Sequence, residues 1–579
     1  MPSKFDLGLV MAGAISAGSY TAGVIDFMLL ALEEWEKEKS LDKNRNEKNF
    51  PHHQVKLKVL AGSSAGGMTA ALMAARIARS RGAADSVIHD SWVNEIDAEK
   101  LLTTTDLDGP TARSFLNGDI IPGIAAKALD EDARPAGLDP KAAFPPYFND
   151  PLDLVLTVSN LRGIPFGSTF SGGRYEMLTH GDWFHFVLGM KKPDPWPPTQ
   201  GSFHPSDLPP GPDWLPPETF NDPAWERFKR VAVATGAFPL ALPSQRLDWH
   251  GVDGYTALVR SLVATGGTAA KHLPIKPAFP KNPFKTYPFD AVDGGMVNNE
   301  PVDLARRALD LKLYDPNHRK GEAAVLLVDP FPNTGVFESA DPPETPLMLQ
   351  TAKMILKALQ NQARFQPEEL AQARNPSVDT QFMITPERKG RELAADPERW
   401  LNIACGSLGG FGGFLHPSYR IHDYQLGRRN CQRFLQKRFT LNGKNWGDTR
   451  DGEQKGEQRA SLFDDWNPPE GDPVWAQMRD ENDVVIPGAE AVALPIIPLF
   501  GKAKEPQEMK EPWPDRKFTA ADKEKLEKRL EIRIRALARG FGMNKLAVAL
   551  AVPILAPWAA DALIDKLLGQ LRANDLYPK

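Results

Sequence analysis

Val55-Lys56-Leu57-Lys58-Val59-Leu60-Ala61-Gly62-Ser63-Ser64-Ala65-Gly66-Gly67-Met68-Thr69-Ala70-Ala71-Leu72-Met73-Ala74-Ala75 decides how this chain is read. It opens with alternating apolar and charged residues and ends that phase wholly apolar, the pattern of a strand entering a core. It closes on an alanine-rich helix former. Between the two, Gly62-Ser63-Ser64-Ala65-Gly66 is a G-x-S-x-G turn. Glycines there permit a tight strand-to-helix reversal that stands the central hydroxyl above a sheet, beside the N–H groups and positive dipole end of the helix. Ser64 is therefore a candidate nucleophile, with Gly62 and Gly66 as its supports. With 46 glycines in 579 residues the pentapeptide alone is a weak signal, so the rest of the chain must carry the argument.

A serine hydroxyl needs a base, and acyl transfer needs donors for an oxyanion. Asp293-Gly294-Gly295-Met296-Val297-Asn298-Asn299-Glu300-Pro301 offers the base. Asp293 closes an apolar strand, and Gly294 and Gly295 turn the backbone sharply beside its carboxylate. Gly13-Ala14-Ile15-Ser16-Ala17-Gly18 offers the donors. It follows an apolar strand at 5–11 and precedes a helix at 24–32, so its small residues bring backbone N–H groups close to a bound group. The segment has neither the spacing of a dinucleotide fingerprint nor a Walker lysine, which argues against a nucleotide site.

Composition bounds the rest. Hydrophobic residues make up 42% of the chain, charged residues 25%, and the formal net charge is −5. Those values describe a soluble globular protein of two or three domains, with no basic excess and so no nucleic-acid partner. Only Cys405 and Cys431 occur, which excludes a disulfide framework and favours a reducing compartment. The N-terminus enters a strand without signal-peptide organisation, so a cytoplasmic location is expected. No metal site and no cofactor are expected. The uncharged run 546–560 is short for a membrane span and is interrupted by Pro553 and Pro557. It reads either as an interfacial helix making peripheral membrane contact, with Trp558 at the headgroup level, or as a buried C-terminal helix.

Strands at 5–11, 55–60, 152–159, 231–235, 289–293 and 323–330 alternate with helices at 24–32, 67–81, 89–93, 225–230 and 301–309. This is an α/β domain over residues 1–340 with a mostly parallel central sheet. Within it, 103–146 reads as loop-rich and 193–223 as a proline-rich insertion. Residues 341–440 read as a helical extension, with a helix at 347–364 and, over 411–437, a glycine-rich turn joined to a strongly basic helix. The basic stretch 420–430 is expected to serve a structural ion-pair network, with binding of anionic headgroups as the alternative. Residues 441–579 read as a polar linker followed by C-terminal helices. There, Thr519-Ala520-Ala521-Asp522 is a capping box ahead of Leu526, Leu530, Ile534 and Leu537 on one helix face.

In their order along residues 5–335, the three segments resemble the patatin-like phospholipase family. Its members combine a glycine-rich loop after the first strand, an early G-x-S-x-G elbow and a downstream D-G-[GA] aspartate. Asn299-Glu300-Pro301 is similar to the family's N-x-P continuation, and Gly236-Ala237-Phe238-Pro239 to its small-residue-Phe/Ile-Pro segment. The resemblance implies a three-layer sandwich, a lipid or ester substrate and a Ser-Asp dyad. Ser64 would attack the ester carbonyl and Asp293 would take its proton and later activate water. Backbone N–H groups of Gly13, Ala14 and Ile15 would hold the oxyanion, with Gly18, Gly62, Gly66, Gly294 and Gly295 shaping the motifs. The family loop is usually G-G-G-x-[RK]-G, and here Ala14, Ile15 and Ala17 replace two glycines and the basic residue. Two alternatives stand beside this reading. One is an α/β-hydrolase esterase whose triad draws on Asp293 or Asp329 and His416 or His422, although the elbow arrives early for that fold. The other is a catalytically weak lipid-binding scaffold, which the altered loop would favour.

Overall fold

A strand that is apolar on both faces needs cover on both sides, and this chain supplies it by interleaving helices with strands. The computed structural model describes residues 3–578 with short breaks and longer ones at 193–212, 249–274, 280–285, 310–320, 333–350, 359–381, 389–401, 449–454, 480–484 and 487–491. In order, β1 (Lys4–Met11), α1 (Gly18–Ser40), β2 (Gln54–Gly62) and α2 (Ala65–Ser80) open the fold. There follow α3 (Ile120–Ala128), β3 (Phe148–Phe170), β4 (Gly173–Leu188), β5 (Asp213–Leu215) and α4 (Pro223–Thr235). Next come β6 (Gln245–Leu247), β7 (Phe289–Asp293), α5 (Val302–Ala308), β8 (Ala323–Val328) and β9 (Phe382–Ile384). The C-terminal part holds α6 (Pro417–Lys437), α7 (Ala520–Gly540) and α8 (Lys545–Ala573).

The central sheet runs β5-β4-β3-β2-β1-β8-β9, with β7 on β3 and β6 on β7. The pairs β3–β2, β2–β1, β1–β8 and β8–β9 are parallel, while β4 and β7 lie antiparallel on β3. Side-chain parity sets the layers. Phe5, Leu7, Leu9 and Met11 of β1 enter the large core with Tyr20, Phe27 and Met73 of α1 and α2. Val10, on the opposite face, joins Val59, Val155, Val325 and the α5 residues Val302, Leu304 and Ala305 in a second cluster. This is the three-layer arrangement expected from the sequence: a mostly parallel central sheet between helical layers, followed by a helical C-terminal region.

The α6 helix crosses α1 at backbone contact. A Cβ at Gly23 would stand 1.9 Å from the Tyr424 carbonyl oxygen, and one at Gly427 2.2 Å from that of Tyr20. Only glycine fits either position. The basic stretch faces inward here. Arg428 and Tyr424 both reach the Asp26 carboxylate of α1, which Arg76 approaches at 3.3 Å. Arg420 donates to the carbonyls of Val93 and Gly413. The stretch forms the ion-pair and hydrogen-bond network expected of it.

Several elements differ from the sequence reading. Residues 231–235, read as a strand, complete α4. Asp222 caps that helix by accepting the Ala224 N–H, Pro223 occupies its first turn, and Trp225, Phe228, Val231 and Ala232 bury one face. The alternation Val231-Ala232-Val233-Ala234 mimicked strand periodicity. The loop-rich 103–146 stretch holds α3, whose bounds the sequence did not mark. The strand at 152–159 is the middle of a far longer β3, and its antiparallel partner β4 was not foreseen. Residues 193–212 of the proline-rich insertion lie outside the described residues, and 213–215 pair with β4 as β5. Most of the helix expected at 347–364 also lies outside them. Within the polar stretch 442–469, Leu462, Phe463 and Trp466 are buried in the main core.

The capping box of α7 forms as expected, with Thr519 N–H donating to Asp522 Oδ2 at 2.8 Å and Asp522 N–H to Thr519 Oγ1 at 3.3 Å. The run 546–560 belongs to α8, which continues through both prolines. Its described side chains Ala556, Ala560, Ile564, Leu567, Leu568 and Leu571 are buried. Among the described residues the helix apolar and long enough to cross a membrane is the one at Ile15–Ser40, near the N-terminus rather than the C-terminus. Of its apolar window 83% is buried inside the protein.

Candidate active site

Strand register brings the three motifs to one place. Along β3, Leu156 pairs with Gly62 at the end of β2, and Val158 pairs with Asp293 at the end of β7. The last residue of β2 and the last of β7 are thus neighbours on one strand. Met11, at the end of β1, pairs with Gly62 from the other side. Two residues beyond each parallel strand end lie Gly13 and Ser64.

The elbow is tight. Ser64 adopts φ 53° and ψ −129°, a strained conformation for a residue with a Cβ. A Cβ on Gly66 would meet the Met11 carbonyl oxygen at 2.1 Å, and one on Gly62 the Gly66 backbone at 2.6 Å. Thr235 Oγ1 steadies the turn by accepting the Ser64 N–H at 2.9 Å. The Ser64 hydroxyl donates to Asp293 Oδ2 at 2.5 Å.

Asp293 is held from three directions. Its N–H donates to the Ala237 carbonyl at 3.0 Å, its carbonyl accepts the Ser159 hydroxyl at 2.8 Å, and its Oδ1 accepts the Gly295 N–H at 2.7 Å. With the side chain 2% exposed, burial pushes the carboxyl up to about 7 against the opposing pull of the Ser64 and Gly295 hydrogen bonds. Gly294 packs so closely on the Thr157 backbone that a Cβ would fall 2.4 Å from its carbonyl oxygen.

The small-residue loop lies against the serine. A Cβ on Gly13 would fall 2.9 Å from Ser64 Cβ and 2.4 Å from Asn299 Oδ1. The Gly13 N–H donates to the Asn299 carbonyl at 3.3 Å, so it is already engaged. Ile15 carries φ 49°, and Gly18 sits under the Trp92 indole, where a Cβ would meet ring carbon at 2.5 Å. From the C-terminal region, residues 404–414 pack over this loop. The Ser16 hydroxyl donates to the Gly410 carbonyl and accepts the Gly413 N–H at 3.0 Å. Phe411 stands edge-on to Phe238 at 5.6 Å.

The two candidate histidines are occupied elsewhere. His422 Nδ1 is 2.7 Å from Asp423 Oδ1, and that buried carboxylate also accepts the N–H groups of Ala404 and Cys405. His416 caps α6 through Ser418, 2.7 Å from its hydroxyl. Asp329 accepts the Phe331 N–H at 2.8 Å. Among the described residues no group of three or more His, Cys, Asp or Glu side chains could hold a metal ion.

Thr235, Ser159, Asn299 and Ser16 escaped the sequence reading as site residues. Thr235 ends the segment misread as a strand, and Asn299 lay inside the quoted N-x-P continuation. Ser16 lay inside the quoted small-residue loop, and Ser159 carried no distinguishing local signal.

A serine on a tight strand-to-helix turn, hydrogen-bonded to a buried aspartate, is an arrangement suited to acyl transfer. The sequence matches the patatin-like phospholipase family over residues 9–306, and the chain belongs to that family. It is also similar to the uncharacterised protein y4iI of Sinorhizobium fredii, with 32% identity over 577 residues, covering 92% of this chain and 76% of that protein.

Proposed function

We propose that this protein hydrolyses carboxylic esters of lipids through a Ser64-Asp293 dyad and an acyl-enzyme. The observation that carries the proposal is the 2.5 Å hydrogen bond from the Ser64 hydroxyl to Asp293 Oδ2 in a chain of this family. Asp293, raised to about 7 by burial, is a base matched to neutral pH: charged enough to accept the Ser64 proton and basic enough to hold it. Attack by Oγ on the ester carbonyl places negative charge on the carbonyl oxygen. With the Gly13 N–H engaged, the donors are those of Ala14 and Ile15 together with the free N–H groups at the start of α2. Collapse expels the alcohol, which takes the proton from Asp293. Water then enters and attacks the acyl carbonyl as it gives a proton to Asp293; the Ser64 oxygen leaves, taking that proton back, and the fatty acid is released.

Support for a dyad rather than a triad comes from His422, held by Asp423, and from His416, spent on a helix cap. The test is product analysis with mixed phospholipid and glyceride vesicles, comparing wild type with Ser64→Ala, Asp293→Asn, His416→Ala and His422→Ala. Free fatty acid is expected from wild type and both histidine variants. It should fall by about 10²–10⁴-fold in Asp293→Asn and disappear in Ser64→Ala. Loss of activity in a correctly folded histidine variant would overturn the dyad.

A further inference from the structure

We infer that Ser16 is a positioning residue for the oxyanion hole, latched by residues 404–414 of the C-terminal region, which thereby hold the Ala14 and Ile15 N–H groups on the acyl carbonyl. The inference rests on the reading that Ser64 attacks an ester. The Ala14 backbone lies at φ −151° and ψ 7°, and Ile15 follows at φ 49°. Such a change of hand between neighbours turns successive N–H groups toward one side, where they can receive an anion. A β-branched residue resists positive φ, so the turn persists only where its surroundings impose it. Ahead of the turn the sandwich does so, through the Gly13 N–H that donates to the Asn299 carbonyl at 3.3 Å. Behind it stands Ser16.

Ser16 is fully buried, and its hydroxyl reaches out of the sandwich to the C-terminal region. It donates to the Gly410 carbonyl and accepts the Gly413 N–H at 3.0 Å. Glycine lets the segment come this close. Gly410 has φ 105°, and a Cβ on it would fall 3.3 Å from Ile15 Cβ and 3.4 Å from the Ala14 carbonyl oxygen. A Cβ on Gly413 would fall 2.6 Å from Ser16 Oγ. The segment is itself held near both ends by α6. Asp423 accepts the N–H groups of Ala404 and Cys405 at 2.8 Å each, and Arg420 donates to the Gly413 carbonyl at 2.6 Å. The dyad has separate supports, since Thr235 accepts the Ser64 N–H and Asp293 the Ser64 hydroxyl. Loss of the latch therefore blunts oxyanion stabilisation while the nucleophile and its base stay in place.

The test compares p-nitrophenyl butanoate with its thionoester, whose C=S sulfur is a poor hydrogen-bond acceptor and gains little from an oxyanion hole. Wild type, Ser16→Ala and Gly410→Ala are measured. The last keeps the loop sequence and presses the segment off it. For the ester, kcat/KM should fall by about 10–10²-fold in both variants. For the thionoester it should fall by less than about threefold. The ester-to-thionoester ratio does not depend on how much of a variant is folded, so a purely structural defect leaves it at the wild-type value. An unchanged ratio in Ser16→Ala, or in Gly410→Ala should Ser16→Ala not fold, would overturn the inference. Amide hydrogen exchange gives a readout without turnover. Peptides covering 12–19 and 404–414 should exchange at least about tenfold faster in Ser16→Ala, with the peptide covering Ser64 unchanged. Unchanged exchange at 12–19 would overturn the latch in an active or an inactive protein. Faster exchange there, in a protein that turns over neither substrate, supports the latch and tells against Ser64 as nucleophile alone.

Discussion

Asp293 carries the proposed chemistry as a carboxylate whose burial favours the protonated form, and that has two consequences of opposite sign. Activity needs the charged form, so kcat/KM is expected to climb about tenfold per pH unit below about 7 and level off above it. Stability runs the other way. Between the ordinary carboxylate pKa and about 7 the folded state binds a proton that the unfolded chain has released, so stability falls as pH rises through that window. Asp293→Asn removes this penalty. It should be more stable than wild type by a margin growing from near pH 4 to pH 7, reaching up to about 4 kcal/mol. Thermal unfolding of both proteins across that range checks it, and a margin that stays flat would contradict it. At this scale the sequence exposed Ser64 and Asp293 because each sits in a turn whose glycines leave a local signature. Thr235 and Ser159 left none. Their roles depend on which strand ends meet, and a hydroxyl on a strand or helix end looks the same whether or not a partner waits across the fold.

At the scale of elements, the buried strands and the helices that follow them were legible because apolar runs bounded by glycine and proline leave few readings. The errors fall where two periodicities coincide. Val231-Ala232-Val233-Ala234-Thr235 alternates like a strand, yet Trp225, Phe228, Val231 and Ala232 also share one helical face, and packing against α2 decides for the helix. The α1–α6 crossing was equally hidden, since nothing near Gly23 or Gly427 announces a backbone partner some 400 residues away. That crossing makes a sharp contrast with Gly569, which has nothing within 4 Å in α8. Gly427→Ala should destabilise by about 1–3 kcal/mol or more, since its Cβ collides with a carbonyl that cannot move alone. Gly569→Ala should stabilise by about 0.5–1 kcal/mol. Equilibrium denaturation of the pair checks both signs.

Across the whole molecule, the chain after residue 340 is bound up with the sandwich. Leu426 and Leu435 of α6, Leu462, Phe463, Trp466 and Leu571 share a core with Phe5 and Trp35. Residues 404–414 press on the loop that carries Gly13, Ala14 and Ile15, through Ser16. We expect a chain cut after residue 340 to aggregate or to elute as a misfolded species in gel filtration, because it would bare the Gly23 face of α1. A monodisperse, esterolytic fragment would contradict this. Composition and motif order reached the α/β class and the family, since both are properties of sequence content. They could not reach the embrace of α1 by α6, which is a property of pairing between distant segments. The central claim is that Ser64 is the nucleophile and Asp293 its base, and labelling tests it most directly. Wild type, Ser64→Ala and Asp293→Asn are exposed to a long-chain fluorophosphonate, and the labelled peptide is identified by mass spectrometry. The account predicts one phosphonyl group on Ser64 in wild type, slowed by about 10²–10⁴-fold in Asp293→Asn and absent from Ser64→Ala. Label on another residue, or ester hydrolysis that survives in Ser64→Ala, would contradict it.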